Sequence, residues 1–220
     1  MMLLTPKEAA LELYARREAR KSLLAFTRYT YPDYKADPVH ELIASTLDKV
    51  VEGEIQRLMV FAPPQHGKSL LTSVSLPAYW MGRRPNDPVI LSSYAASLAE
   101  SKSRQARAVV ESYEYARLFG AHAKRDTPPI ILRTDSRAVA NWSLNAPYRG
   151  GMLAVGVGGP VTGHGGLLGI MDDPHENWEQ AQSRTYRVRV WDWYRTTFPP
   201  QGFFRPAEYA CNVLPNCCRR

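Results

Sequence analysis

The chain has 220 residues, a formal net charge of +7 and 45% hydrophobic residues. This length allows one α/β domain, or one domain with a small appendage. No apolar run approaches the roughly 20 residues that a membrane span needs, and the first residues lack the basic segment and long apolar core of a secretory signal. We therefore expect a cytoplasmic globular protein without a membrane partner. The basic excess permits contact with a polyanion, but it fits ordinary solubility charge equally well.

Two helices are predicted before the first strand. The first covers residues 5–30, with Pro6 near its start. The second covers residues 40–51, whose apolar positions lie near helical spacing, and Gly53 should stop it. We assign residues 1–54 to an N-terminal helical lead-in.

The most informative stretch of the sequence follows. An apolar, β-prone run at residues 58–61 leads into a turn-forming segment, which ends in Gly67-Lys68-Ser69 and a helix-compatible sequence. Strand, loop, Gly-Lys-Ser and helix together are the context of a phosphate-binding loop. Ala62 stands where the strict pattern has glycine, so a plain β–α turn with an exposed lysine is the alternative. We favour the phosphate-binding interpretation.

The chemistry of ATP and Mg²⁺ binding requires these residue types. Backbone N–H groups of the loop and of the helix N-terminus would surround the phosphates. Lys68 would neutralise phosphate oxygens, the Ser69 hydroxyl would ligate Mg²⁺, and Gly67 would let the backbone approach the ligand. The predicted nucleotide-binding residues are Pro64, Gln65, His66, Gly67, Lys68, Ser69 and Leu70.

The elements beyond the loop alternate between strand and helix patterns. We predict a buried strand at residues 88–94, a long helix at 95–118, strand-like alternation around 139–144 and 152–157, a glycine-rich segment at 156–166, and a helix-compatible region at 176–195. Strands alternating with helices favour a largely parallel sheet with crossover helices.

An acidic pair follows the apolar run at residues 167–171. An apolar strand that ends in a carboxylate is what a phosphate-loop site needs to hold Mg²⁺. Asp172 would bind the metal, and Asp173 would orient the attacking water. Apolar runs that end in aspartate are also common turn starts. The pattern alone is therefore a weak sign of a metal site, and the preceding phosphate-loop motif is what supports that interpretation.

Three segments together resemble the N-terminal ATPase domain of the large terminase subunit of tailed phages. They read GEIQRLMVFAPPQHGKS, ILSSYAASLAESKSRQAR and TGHGGLLGIMDDP, and a WDWYRTTF stretch follows the acidic pair. The resemblance covers about residues 25–198, and we assign residues 55–198 to the ATPase domain. It implies a P-loop NTPase fold of the RecA-like (ASCE) type: a largely parallel sheet flanked by helices, here expected to be incomplete at its C-terminus.

The resemblance also implies a function and its partners. The family uses ATP and Mg²⁺ to move double-stranded DNA into a preformed capsid. Its partners are the terminase small subunit and the portal protein of the procapsid, and the intact protein forms a homo-oligomeric ring. By position, Lys68 and Asp173 match the catalytic residues, and Ser69 and Asp172 match the metal ligands.

One departure from the family concerns a positive charge near the phosphates. Relatives often have arginine at the position of Gln65, and glutamine cannot supply that charge. We expect Arg104, Arg107 or a neighbouring subunit to provide it.

The last residues depart from the family pattern. Residues 199–220 contain all three cysteines, at positions 211, 217 and 218, and lack the acidic residues of a nuclease domain. Our hypothesis is that the chain is a truncated or frameshifted terminase product. Absence of a terminase-like continuation in the other two reading frames after codon 198 would refute this hypothesis. The alternative is a short tail that folds over the sheet.

Two other functions stay open at this point. A superfamily 2 helicase or translocase shares the layout of the motifs, but it needs a second RecA-like domain. A remnant that binds nucleotide without hydrolysing it is the non-enzymatic alternative.

The remaining histidines and tryptophans carry weaker predictions. We interpret His40 as a surface histidine, although relatives place a residue near the adenine pocket there. His66 contacts phosphate or fills a tolerant loop position, and His164 and His175 do not form a convincing metal triad with Asp172. We expect four tryptophans to pack rather than to stack on bases: Trp142, Trp178, Trp191 and Trp193.

Overall fold

In a computed structural model, the chain is described over residues 5–63, 66–120, 128–161, 167–196 and 208–212. Those residues form an α/β fold in which one mixed sheet is flanked by helices. The helices are α1 (Pro6–Ala19), α2 (Leu23–Thr30), α3 (Pro38–Glu52), α4 (Leu76–Arg83), α5 (Ala96–Glu111), α6 (Tyr113–Phe119), α7 (Trp178–Gln182) and α8 (Arg184–Thr196). The strands are β1 (Arg57–Val60), β2 (Val89–Ser93), β3 (Leu132–Arg137), β4 (Asn141–Leu144), β5 (Gly151–Gly156), β6 (Leu168–Asp172) and β7 (Glu208–Asn212).

The sheet has the strand order β1-β7-β6-β2-β5-β4-β3. Strands β1, β7, β6, β2 and β5 pair in parallel, and β4 pairs antiparallel with both β5 and β3. The α/β class predicted from the alternating elements is therefore confirmed. The antiparallel edge is not predicted, because strand-like alternation carries no information about strand direction.

Strand β7 comes from residues 199–220, the tail expected to lie outside the predicted ATPase domain. Its backbone pairs with β1 on one side and with β6 on the other. The strand that leads to the phosphate loop and the strand that carries Asp172 are therefore not neighbours. They are joined through β7.

The first predicted helix is two helices. Thr5 and Glu8 form a capping box at the start of α1, where the Thr5 N–H donates to the Glu8 carboxylate at 2.8 Å. Helix α2 begins at Leu23, whose N–H donates to Asp48 Oδ1 of α3 at 2.8 Å. Because this cap comes from 25 positions away, the local sequence does not reveal the break.

Two other predicted helices also divide at polar caps. The predicted helix at 95–118 breaks at Ser112, whose hydroxyl accepts from the Tyr115 N–H at 3.1 Å. The region at 176–195 becomes α7 and α8, which divide at Ser183, an extended residue that ends α7. The Asn177 side chain caps the start of α7. Serine and asparagine favour such positions because their short side chains replace the missing helical partner.

A π-helical segment, Leu70–Ser75, runs directly into α4. Pro77 explains it, because proline has no N–H to donate to the carbonyl of Ser73 and its ring would clash there in a regular α-helix. The Leu76 N–H instead donates to the carbonyl of Leu71, five residues back. The wider turn lies immediately after the predicted phosphate loop, and π-helical turns are frequent at functional sites.

The central strands separate two hydrophobic cores. Val89 and Leu91 of β2 join the larger core, to which helices α1 to α6 contribute, and Ile90 joins the smaller core under α8. On β6, Ile170 joins the larger core and Met171 joins the smaller one. Both faces of these strands are covered, so they read as continuous apolar runs. This is the reason that both strands can be predicted from the sequence.

Candidate phosphate-loop site

The chain turns from β1 through the predicted phosphate loop into the helical segment after it. Pro64 and Gln65 lie outside the described residues. Gly67 has a φ of 67°, a left-handed conformation that glycine adopts without a steric penalty. Its carbonyl accepts from the Leu70 N–H at 3.1 Å, which starts the helical hydrogen bonding right after the loop. Lys68 and Ser69 therefore lie in the first turn of the helix, as the motif predicts.

Strand β6 brings Asp172 to this helix. The carboxylate is buried, with 1% of the residue exposed. Ser69 Oγ donates to Asp172 Oδ1 at 3.3 Å, and Ser73 Oγ donates to Oδ2 at 2.7 Å. Two hydroxyls four positions apart, on one face of the helical segment, thus hold both oxygens of the carboxylate. Hydrogen bonds of this kind are what allow a carboxylate to stay buried.

Asp173 pairs with the lysine of the loop. Lys68 Nζ lies 3.0 Å from Asp173 Oδ1, with 11% of the lysine side chain and 37% of the aspartate side chain exposed. Asp173 has a φ of 46°, which is unusual for a residue other than glycine but is tolerated by aspartate. Its carbonyl also accepts from the Tyr94 N–H at 3.0 Å. The ion pair and this hydrogen bond hold a backbone conformation that costs about 1–3 kcal/mol.

Lys68, Ser69, Asp172 and Asp173 therefore meet at the carboxyl edge of the parallel strands, where open α/β sheets bind ligands. The structure brings together all four residues that the sequence assigns to catalysis and to the metal.

The donor set fits Mg²⁺. The described residues contain no group of three or more His, Cys, Asp and Glu side chains that could hold a metal ion. Mg²⁺ bound with a nucleotide does not need one, because phosphates and waters supply most of its ligands. Ser69 Oγ and Asp172 Oδ1 are 3.3 Å apart, close to the separation of about 3 Å between adjacent oxygens in an octahedron with bonds of about 2.1 Å. These two residues could therefore bind the same ion.

Two serines at the site are missed by the sequence analysis. Ser73 follows Ser69 by four positions, and this helical spacing is the signal that could have found it. Ser93 ends β2 one residue beyond Ser92, which pairs with Met171, so it lies beside the acidic pair. The Ser93 hydroxyl is fully buried and has no hydrogen-bond partner among the described residues.

The histidine predictions have different outcomes. His40 is not a surface residue, because only 8% of it is exposed. Its ring lies against the phosphate loop, where Nε2 is 2.9 Å from the carbonyl oxygen of His66. The side chain of His66 is exposed. His164 lies outside the described residues.

His175 is buried just after the acidic pair. It is 5% exposed, and within the described parts of the chain neither ring nitrogen has a hydrogen-bond partner. Burial lowers the pKa of His175 from its ordinary 6.5, and the charge of Arg187 lowers it further. Both effects favour the neutral form of the imidazole.

The arginines proposed to supply a positive charge lie on α5. The Arg104 side chain is exposed, and Arg107 Nε lies 3.9 Å from Glu111 Oε2 on the same helix. These contacts do not connect either arginine to the phosphate site. That one of them, or a neighbouring subunit, supplies the positive charge stays a prediction.

Packing holds for two of the four tryptophans. Trp142 is fully buried and donates its indole N–H to Ser103 Oγ at 2.9 Å, and Trp193 is 8% exposed. Trp178 and Trp191 are more than half exposed and lie outside both cores, so the packing prediction is wrong for Trp178. The Trp191 ring stacks on Tyr194 of the same helix at a centroid distance of 5.5 Å, so its packing is only local. Both tryptophans lie on α7 and α8, which cover only part of one sheet face.

Comparison with protein-family models gives no match for the chain, and comparison with curated proteins gives no significant match. Among the described residues, no helix is both long and apolar enough to cross a membrane.

Proposed function

We propose that the chain is a P-loop ATPase of the terminase motor type, which binds and hydrolyses ATP with Mg²⁺ to move double-stranded DNA. The observation that carries the proposal is the meeting of Lys68, Ser69, Asp172 and Asp173 at one edge of the sheet. These residues come from segments more than 100 positions apart. Their types match the parts that phosphoryl transfer requires.

The proposed roles follow from the contacts. Lys68 exchanges its ion pair with Asp173 for an ion pair with phosphate oxygens when nucleotide enters. That exchange frees the Asp173 carboxylate, which then accepts a hydrogen bond from the attacking water and orients it. Ser69 and Asp172 would hold Mg²⁺, which would neutralise charge on the phosphates. Ser73 keeps the Asp172 carboxylate fixed for that task.

The partners of this proposed motor come from the resemblance. They are double-stranded DNA, the terminase small subunit and the portal protein of the procapsid, with the motor in a homo-oligomeric ring. The charge of +7 is compatible with DNA contact.

A second candidate is a domain that binds nucleotide but does not hydrolyse it. The observation that favours it is the Lys68–Asp173 ion pair, because it occupies the carboxylate that would otherwise orient water. Aspartate is also one methylene shorter than the glutamate of many relatives. A helicase is the remaining alternative, and no contact among the described residues favours it over the motor.

The experiment that separates these functions is ATP hydrolysis by the purified chain with Mg²⁺, with and without double-stranded DNA. The Lys68→Ala variant should lose the activity, and Lys7→Ala, at an exposed lysine of α1, should keep it. DNA-stimulated turnover supports the motor. Binding of a fluorescent ATP analogue without turnover supports the second candidate, and separation of a forked duplex supports a helicase. A folded protein that neither binds nor hydrolyses ATP would contradict the proposal.

A further inference from the structure

The contact between α3 and the phosphate loop centres on His40. This residue lies in the first turn of α3, and its ring is buried between the helix start and the loop, with Tyr34 edge-on at a centroid distance of 5.8 Å. The ring makes one hydrogen bond in each direction. Nδ1 lies 2.9 Å from the backbone nitrogen of Asp37, and Nε2 lies 2.9 Å from the carbonyl oxygen of His66.

These two partners determine where the imidazole carries its proton. A backbone N–H can only donate, so Nδ1 must accept from Asp37. A carbonyl can only accept, so Nε2 must carry the hydrogen and donate to His66. Both hydrogen bonds are satisfied together by the neutral Nε2–H tautomer. The ring is thereby fixed in orientation from both ends.

The same ring approaches Gly67 closely. A Cβ atom built on Gly67 would lie 2.7 Å from His40 Nε2, nearer than real contacts allow. Position 67 therefore requires glycine for two separate reasons, which are the φ of 67° and the close approach of the His40 ring.

The hydrogen bond to the His66 carbonyl also orients the next amide. In a trans peptide the C=O and the N–H point in opposite directions. Since the His66 carbonyl points at His40, the Gly67 N–H of that peptide points away from α3. An N–H in this loop is a donor of the kind that binds phosphate oxygens.

We propose that His40 is a positioning residue for the phosphate loop. Its Nε2–H holds the His66–Gly67 peptide in the orientation that presents the Gly67 N–H to an anion. The lead-in helices are thereby part of the nucleotide site rather than a separate appendage. This inference rests on the proposed nucleotide binding, and its test has a readout that does not.

Two substitutions separate the loop contact from the helix cap. His40→Asn keeps an acceptor near the place of Nδ1, so the cap at Asp37 can persist, but it loses the donor to the loop. His40→Gln reaches as far as Nε2 and can restore that donor. If His40 acts only through the helix cap, His40→Asn, which keeps the cap acceptor, should behave like the natural chain. If His40 positions the loop, His40→Gln, which keeps the donor, should do so.

The first readout is the dissociation constant of a fluorescent ATP analogue with Mg²⁺. We expect His40→Asn to bind about two- to tenfold more weakly than the natural chain, which is the effect of losing one neutral hydrogen bond. We expect His40→Gln to recover most of this loss. Equal affinity of the Asn variant and the natural chain, or equally weak binding by both variants, would overturn the inference.

The second readout is amide hydrogen exchange of residues 66–70 in the absence of nucleotide. His40→Asn should speed exchange in this segment, and His40→Gln should not. If the natural chain binds no nucleotide, the proposed function fails, and this measurement still decides whether His40 holds the loop. Unchanged exchange in the Asn variant would overturn the inference by itself.

The close approach of His40 to Gly67 gives a third check. Gly67→Ala should lower the thermal midpoint more in the natural chain than in the His40→Ala background, where the clash with the ring is absent. Equal effects in the two backgrounds would show that the ring does not restrict this position.

Discussion

Replacement of Ser73 by alanine tests whether the π-helical segment holds the buried carboxylate. Ser73 Oγ donates to Asp172 Oδ2 at 2.7 Å, and both residues are at most 1% exposed. The substitution removes the donor and leaves the buried carboxylate with one hydrogen-bond partner fewer. The matched control is Ser75→Ala. Ser75 lies in the same segment and is equally buried, but its hydroxyl has no hydrogen-bond partner within the described residues.

The expected effect can be estimated from the chemistry of the two hydroxyls. A hydrogen bond to a charged group contributes about 1.5–3 kcal/mol. For a domain of roughly this size, each kcal/mol moves the thermal midpoint by about 2–4 °C, so Ser73→Ala should lower it by about 3–12 °C. Ser75→Ala removes a buried hydroxyl without a partner, and such a change is neutral or stabilising.

Thermal unfolding followed by circular dichroism measures both variants beside the natural chain. Binding of the fluorescent ATP analogue with Mg²⁺ adds a functional readout, because Ser73→Ala also removes a group that positions the proposed metal ligand. Affinity should fall for Ser73→Ala and stay unchanged for Ser75→Ala. Equal midpoints for the two variants would refute the argument that Ser73 supports Asp172.

Three further predictions concern other contacts. Lys68→Ala should weaken binding of the ATP analogue more than tenfold and lower stability by less than about 1 kcal/mol, because the Asp173 partner is over a third exposed; a large loss of stability would contradict this. His175 has a pKa below its ordinary 6.5, so the unfolded chain binds more protons there and stability should fall as the pH drops below 6.5. His175→Leu should reduce this fall in urea unfolding at pH 5.5 and 7.5, and an identical pH dependence would count against the argument. Trp142→Phe removes a buried indole N–H that is hydrogen-bonded to a hydroxyl on α5, and it should lower the free energy of unfolding by about 1–3 kcal/mol. The control Trp178→Phe, at a residue 61% exposed, should change the free energy of unfolding by less than about 0.5 kcal/mol.

Two central strands and the start of the helix after Gly67 could be predicted because their signals are local. Strands β2 and β6 are short apolar runs between turn residues, and the Gly-Lys-Ser segment sits between a β-prone run and a helical pattern. The break between α1 and α2 was missed for the opposite reason. The cap on α2 comes from Asp48 of α3, and such a partner is not visible within the window that defines a helical period.

The sequence by itself determined which residue types are present for phosphate and metal chemistry, and that they follow strands. Residue type and hydrophobic period are properties of neighbouring positions, and a motif records them directly. Only the tertiary structure decided how these residues are paired. It joins Lys68 to Asp173, adds Ser73 to the support of Asp172, and turns His40 from an expected surface residue into a contact of the loop. These partners are separated by 105, 99 and 26 positions. Such pairs form because packing of helices on the sheet brings distant side chains within hydrogen-bond distance, and a hydrophobic pattern carries no information about that choice.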